Sequence, residues 1–130
     1  MIESDPSAFM LKAERACESA KLLLAANDID GACNRAYYAM FDAARAVLLI
    51  EAPDLPLESI KTHSGLIATF GLRLVKPGKV PVALGRVLNR AEEIRLVADY
   101  NTSSVDRVDA ERLLEQASAF VITLRNTFSI

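Results

Sequence analysis

Tryptophan is absent from the 130 residues, histidine occurs once, cysteine twice, and glycine and proline five times each. A single histidine excludes a multi-histidine metal site or a His-His acid-base pair within one chain, and two distant cysteines do not make a zinc site. The scarcity of glycine and proline disfavours a turn-rich β-sandwich or barrel. No Gly-rich phosphate loop, dinucleotide fingerprint or nucleophile elbow occurs. No uncharged stretch approaches the roughly 20 apolar residues of a membrane span. Residues 1–7 carry two acids and no base, unlike a secretory or transit leader. The expectation is a cytoplasmic protein with no metal, no cofactor and no membrane contact.

What is present is 52% apolar and 25% charged, enough for one globular domain over residues 1–130 with a core that needs no metal or disulfide staple. The net charge of −2 and a pI near 5.4 give no global attraction to nucleic acid or acidic membranes.

The apolar residues recur at helical spacing. Asp5-Pro6 reads as a cap and first turn, opening a helix to about Asn27 whose stripe is Phe9, Ala13, Ala16, Ala20 and Leu23, with Glu14, Glu18 and Lys21 facing water. A break at 27–30 leaves Asp30 to cap a second helix to about Ile50, buried through Ala32, Ala36, Ala39, Met40, Ala43 and Val47. Small residues on both faces predict a tight antiparallel hairpin. About a turn near Asp28, Cys17 and Cys33 lie about 16 and 7 Å away along the two helices, an offset beyond disulfide reach, so both read as free core thiols. The second helix also carries a polar stripe of Arg35, Tyr38, Asp42 and Arg45, in which Asp42 is within reach of Tyr38 and Arg45. That stripe is either a solvated or interhelical ion-pair face, or a binding wall with one aromatic plate and two cations.

Pro53 and Pro56 open a loop, after which Thr62 or Ser59 caps a third helix to about Val75, with His63, Leu66, Ile67, Phe70 and Leu74 on one face. Residues 76–79 form a tight turn, and Pro81 opens a fourth helix that buries Leu84, Val87, Leu88, Ala91, Ile94 and Ala98. A break at 101–104 precedes a fifth helix, from just after Asp106 to Thr127, burying Leu113, Ala117, Phe120, Leu124 and Phe128. Five helices joined by short connections predict an all-α, up-and-down bundle. Charge is uneven along it. Residues 61–95 hold seven Lys or Arg against Glu92 and Glu93, net +5, which leaves −7 elsewhere. This excess reads as a solvated basic face or as an anionic contact across helices 3 and 4.

Three segments stand out in order: Asn34-Arg35-Ala36-Tyr37-Tyr38-Ala39-Met40-Phe41-Asp42-Ala43-Ala44-Arg45-Ala46, then Lys61-Thr62-His63-Ser64-Gly65, then Arg95-Leu96-Val97-Ala98-Asp99-Tyr100. Their order and spacing resemble the HEPN domain, in its small stand-alone UPF0332-like branch, over nearly the whole chain. The resemblance implies a five-helix bundle that commonly dimerises, and a toxin or substrate-binding partner encoded beside a minimal nucleotidyltransferase in a two-gene, toxin–antitoxin-like system. Active HEPN toxins are metal-independent ribonucleases that use an Arg, four to six intervening residues and a His, the His handling the proton and the Arg the phosphate charge. Here Arg95 matches, but Ala98-Asp99-Tyr100 stands where the His belongs.

The resemblance therefore implies a nucleotide- or RNA-binding homodimer that lacks the usual ribonuclease motif, with Arg35, Tyr38, His63 and Arg95 as ligand or phosphate-binding candidates. Tyr100 is a candidate for modification by the partner enzyme. The alternatives are a metal-independent ribonuclease using Arg95 with Asp99 or His63, and a purely structural interaction module.

Overall fold

The computed structural model describes residues 5–102 and 104–130. The acidic segment ahead of Asp5 and Ser103 of the last predicted break lie outside the described residues. Among those described, five α-helices form: α1 (Pro6–Ala25), α2 (Ile29–Glu51), α3 (His63–Phe70), α4 (Val82–Tyr100) and α5 (Arg107–Phe128), with a 3-10 turn at Leu57–Ile60 and a π-helical turn at Gly71–Val75. No strand occurs among them, so the architecture is the all-α bundle that the spacing predicts. None of these helices is long and apolar enough to cross a membrane.

α2 is the hub, packed against α1, α4 and α5. Ala13, Ala16 and Ala20 of α1 and Ala32, Ala36, Ala39 and Ala43 of α2 are all buried, and small side chains let the two axes approach closely. Ion pairs and hydrogen bonds fix the direction of the rest. Lys79 meets Glu51 and Asn34 meets Asp99, so α4 runs antiparallel to α2. Arg107 donates to Asn27 while Arg125 pairs with Glu14, so α5 runs antiparallel to α1. Glu14, expected to face only water, therefore joins α1 to α5. Cys17 and Cys33 are free and buried.

Caps explain the boundaries. Asp5 accepts from Ser7 N–H at 3.0 Å. Asp28, not Asp30, caps α2 by accepting from Gly31 N–H at 3.0 Å. Asp30 instead accepts from Val105 N–H at 3.1 Å, tying the approach to α5 onto the start of α2. Thr62 caps α3 by accepting from Gly65 N–H at 3.1 Å, whereas Ser59 sits in the 3-10 turn and donates to Pro56 C=O. The third helix does not run uniformly to Val75. Lys76 N–H closes on Gly71 C=O at 2.9 Å, the wider i to i+5 ring of a π turn. Gly78, at φ +81°, then takes the left-handed backbone that only glycine enters freely.

Candidate functional site

The first turn of α3 docks on α2 and places the only histidine between two adjacent tyrosines. Tyr37 Oη lies 2.8 Å from His63 Nδ1 and Tyr38 Oη 3.4 Å from Nε2. Each ring nitrogen thus faces a hydroxyl, and in either neutral tautomer one nitrogen donates while the other accepts. The rings of Tyr37, Tyr38 and Phe41 surround the imidazole at centroid distances of 5.5, 5.8 and 5.3 Å. Thr62, through its cap, fixes the backbone from which His63 projects.

A second polar row comes from α4, where Glu92, Arg95 and Asp99 recur at three and four residues and so share one face. Arg95 is 5% exposed, the only charged side chain among the described residues that is buried. Its guanidinium lies 5.1 Å above the Tyr37 ring and engages two carboxylates. Nη2 and Nε donate to Glu92 at 2.9 and 3.3 Å, and Nη1 donates to Asp99 at 2.9 Å. The Glu92 carboxylate, more than any other contact, pushes the Arg95 pKa further upward, so the residue is a permanent cation already neutralised. Burial, reinforced by Glu92, pushes the Tyr37 hydroxyl well above the usual phenol range and keeps it protonated. Glu92 also stands 3.9 Å from His63 Nδ1.

Asn34 closes the circuit. Its Nδ2 donates to both Asp99 oxygens at 3.2 and 3.3 Å, and its Oδ1 accepts from Arg35 Nε and Nη2, both at 3.3 Å. Arg35 in turn lies 5.2 Å over the Tyr38 ring. The four predicted ligand candidates, Arg35, Tyr38, His63 and Arg95, therefore belong to one network, and so does Asp99. Within it Arg95 is paired with Glu92 and Asp99, whereas Arg35 meets only the Asn34 amide oxygen and no carboxylate. Tyr100 does not turn inward: it ends α4 with 76% of its surface exposed.

Asp42 does not hydrogen-bond to Tyr38 or Arg45 as the stripe predicts. Tyr38 turns its hydroxyl to His63, and Arg45 lies between the Phe9 and Phe41 rings at 4.8 and 4.7 Å. Nor do the bases of residues 61–95 form one face. Arg95 is buried, Arg73 pairs with Asp54 at 2.7 Å and Lys79 with Glu51 at 3.1 Å.

The HEPN domain profile matches residues 7–126. The chain belongs to the HEPN family. A UPF0332 protein of Gloeobacter violaceus is 38% identical over 114 residues, 86% of each chain. A UPF0332 protein of Thermotoga maritima is 39% identical over 89 residues, 68% of this chain and 64% of that protein. A protein of Methanocaldococcus jannaschii named "Putative toxin" is 32% identical over 120 residues, 92% of this chain and 86% of that protein.

Within this HEPN bundle, sequence reasoning missed Asn34, Tyr37 and Glu92 as members of the network. The signal available for two of them was helical spacing: Asn34 lies four before Tyr38 on α2, and Glu92 lies three before Arg95 on α4. Tyr37 reads as core because it is core, and only the docking of α3 gives its hydroxyl a partner.

Proposed function

We propose that this HEPN chain is a toxin-type binding protein: a homodimer that holds a nucleotide or RNA, working beside a minimal nucleotidyltransferase, and that does not cut RNA by the family's Arg-His chemistry. The observation that carries the reading is the state of Arg95. A phosphate-binding arginine must offer accessible N–H groups to an oxyanion, whereas each nitrogen of Arg95 already donates to Glu92 or Asp99 and the side chain, only 5% exposed, presents its two remaining N–H groups to little solvent. Four to six intervening residues after Arg95 lead to Tyr100, Asn101 or Thr102, so of the Ala98-Asp99-Tyr100 segment only Tyr100 stands at the required spacing, and none of these positions is a histidine. His63 is held by two tyrosines on the far side of the Tyr37 contact rather than paired with an available cation. The names given to the Methanocaldococcus relatives support the toxin-type part of the reading.

The dimer draws support from α4. Besides Tyr100 at its end, that helix and the π turn before it carry four of the ten exposed large apolar side chains among the described residues: Leu72, Val82, Leu96 and Val97. A second copy covering this face would remove that surface from water. Tyr100, exposed at the end of the same helix, is open to a partner enzyme. Intact mass before and after incubation with a minimal nucleotidyltransferase and ATP, for the native chain and Tyr100→Phe, checks that assignment.

The function is tested by titrating mononucleotides and short RNA at two salt concentrations, with EDTA present, and following both binding and RNA length. Salt-dependent binding without shortening of the RNA is expected. Cleavage that survives EDTA and disappears in Arg95→Ala and His63→Ala would replace this reading with a ribonuclease one. A complete lack of binding would leave a protein-interaction module.

A further inference from the structure

The bases that remain free of carboxylates are not spread at random. Among the described residues eight Lys or Arg side chains form no ion pair; Lys76, Arg86 and Arg90 stand apart at the end of the π turn and on α4, and the other five are Lys12 and Arg15 of α1, Arg35 and Arg45 of α2 and Lys61 after the 3-10 turn. All five line two adjoining depressions between α1 and α2. One, of about 440 Å³, is walled by Lys12 and Arg15 on one side and Arg35 and Arg45 on the other, with Asp42 as its only acid. The next, of about 300 Å³, shares Lys12 and Arg45 with it and adds Lys61. Four cations from two helices thus converge around one carboxylate, with Lys61 in the adjoining depression.

Two of these cations are held in place. The Arg45 guanidinium is gripped by the Phe9 and Phe41 rings and the Arg35 guanidinium lies on the Tyr38 ring. An arginine stacked on an aromatic face keeps its N–H edge directed outward and loses little freedom when an anion arrives. Arg45 Nε is buried and has no hydrogen-bond partner, a donor without an acceptor. Burial raises the Asp42 pKa despite Arg45, Lys12 and Arg35 around it, and burial lowers that of Arg45. The groove therefore keeps its charges partly away from water, where an ion pair with a ligand counts for more.

We infer that this α1/α2 groove is an oxyanion site for the adjacent phosphates of a nucleotide or of an RNA end, bound by Lys12, Arg15, Arg35 and Arg45, with Lys61 at its extension. The choice of ligand rests on the binding function proposed above; the location does not follow from it. The groove takes the phosphate-binding task away from the buried, ion-paired Arg95, and meets the surroundings of His63 at Arg35, Tyr38 and Phe41. Forked guanidinium donors match phosphate oxygens in pairs, and a volume of this size suits a small charged group rather than a protein segment.

Calorimetric titration of the full chain with inorganic pyrophosphate, with ADP, and with a short RNA carrying either a 5′-triphosphate or a 5′-hydroxyl tests the site. Pyrophosphate and ADP are expected to bind, and the two RNA ends separate a nucleotide source from an RNA-end source. Lys12→Gln, an exposed position, and Arg45→Met, which keeps the stem between the two rings, are each expected to weaken binding at least tenfold. Asp42→Asn is expected to tighten it, and Arg86→Gln on the exposed side of α4 to leave it unchanged. Native binding that Lys12→Gln and folded Arg45→Met leave intact would overturn the groove while leaving the binding function standing. No binding by any of the four probes would overturn both.

Discussion

At Arg95 one side chain is stacked on an aromatic ring, forked onto one carboxylate and bonded to a second, all in a setting 5% open to solvent. Removing one partner from a buried ionic cluster strands the others, so Arg95→Ala is expected to cost about 3 kcal/mol in urea denaturation. Arg95→Lys should recover little of that, because an ammonium cannot reproduce the fork. A purely phosphate-binding arginine would predict the reverse pattern, with near-native stability and lost affinity. Cys33 contributes to the pH dependence, alongside Cys17 and Tyr37, whose pKa values burial also raises. Burial, with Asp30 and Asp109 adding to it, pushes the Cys33 thiol from 9.0 to about 11. The unfolded chain releases that proton first as pH rises. The contribution is therefore present below pH 9 and is lost progressively through pH 11. Urea midpoints measured between pH 8 and 11 should fall, and fall less steeply in Cys33→Ala.

Among the elements, α3 decides whether the site exists, since its first turn carries His63 to the two tyrosines. Gly65 is needed there. A Cβ at this position would sit 2.6 Å from the Ser59 carbonyl oxygen and 2.5 Å from the Thr62 hydroxyl that caps the helix. Gly65→Ala should therefore part α3 from the 3-10 turn, at about 2 kcal/mol of stability, and shift the His63 ring resonances in NMR spectra. Apolar period and capping residues made the five helices legible from sequence, because burial of a stripe is a local property of spacing. The cap of α2 was less so: Asp28 and Asp30 are chemically equal, and the contact that occupies Asp30 comes from Val105, remote in sequence. Arg35, Tyr38, His63, Arg95 and Asp99 were legible as candidates through motif resemblance. Their convergence was not, since it depends on how α3 and α4 dock on α2. Asp42 misled for a related reason: helical spacing gave it two neighbours, and packing turned Tyr38 to His63 and Arg45 to Phe9 and Phe41.

For the whole molecule, charge and apolar surface divide the tasks. The +5 of residues 61–95 dissolves in three dimensions into ion pairs and scattered exposed bases, and of its members only Lys61 joins the cations that gather from α1 and α2. The apolar surplus gathers instead on α4, and light scattering should give a dimer mass at micromolar concentration, with Leu96→Asp shifting it toward the monomer. The central claim is that this HEPN bundle binds without cutting, and it is tested most directly by incubating an end-labelled RNA with a concentrated, folded sample in EDTA and resolving the product by length. The account predicts RNA of unchanged length at protein concentrations that retard it on a native gel. Shortened RNA that depends on Arg95 and His63 would contradict it.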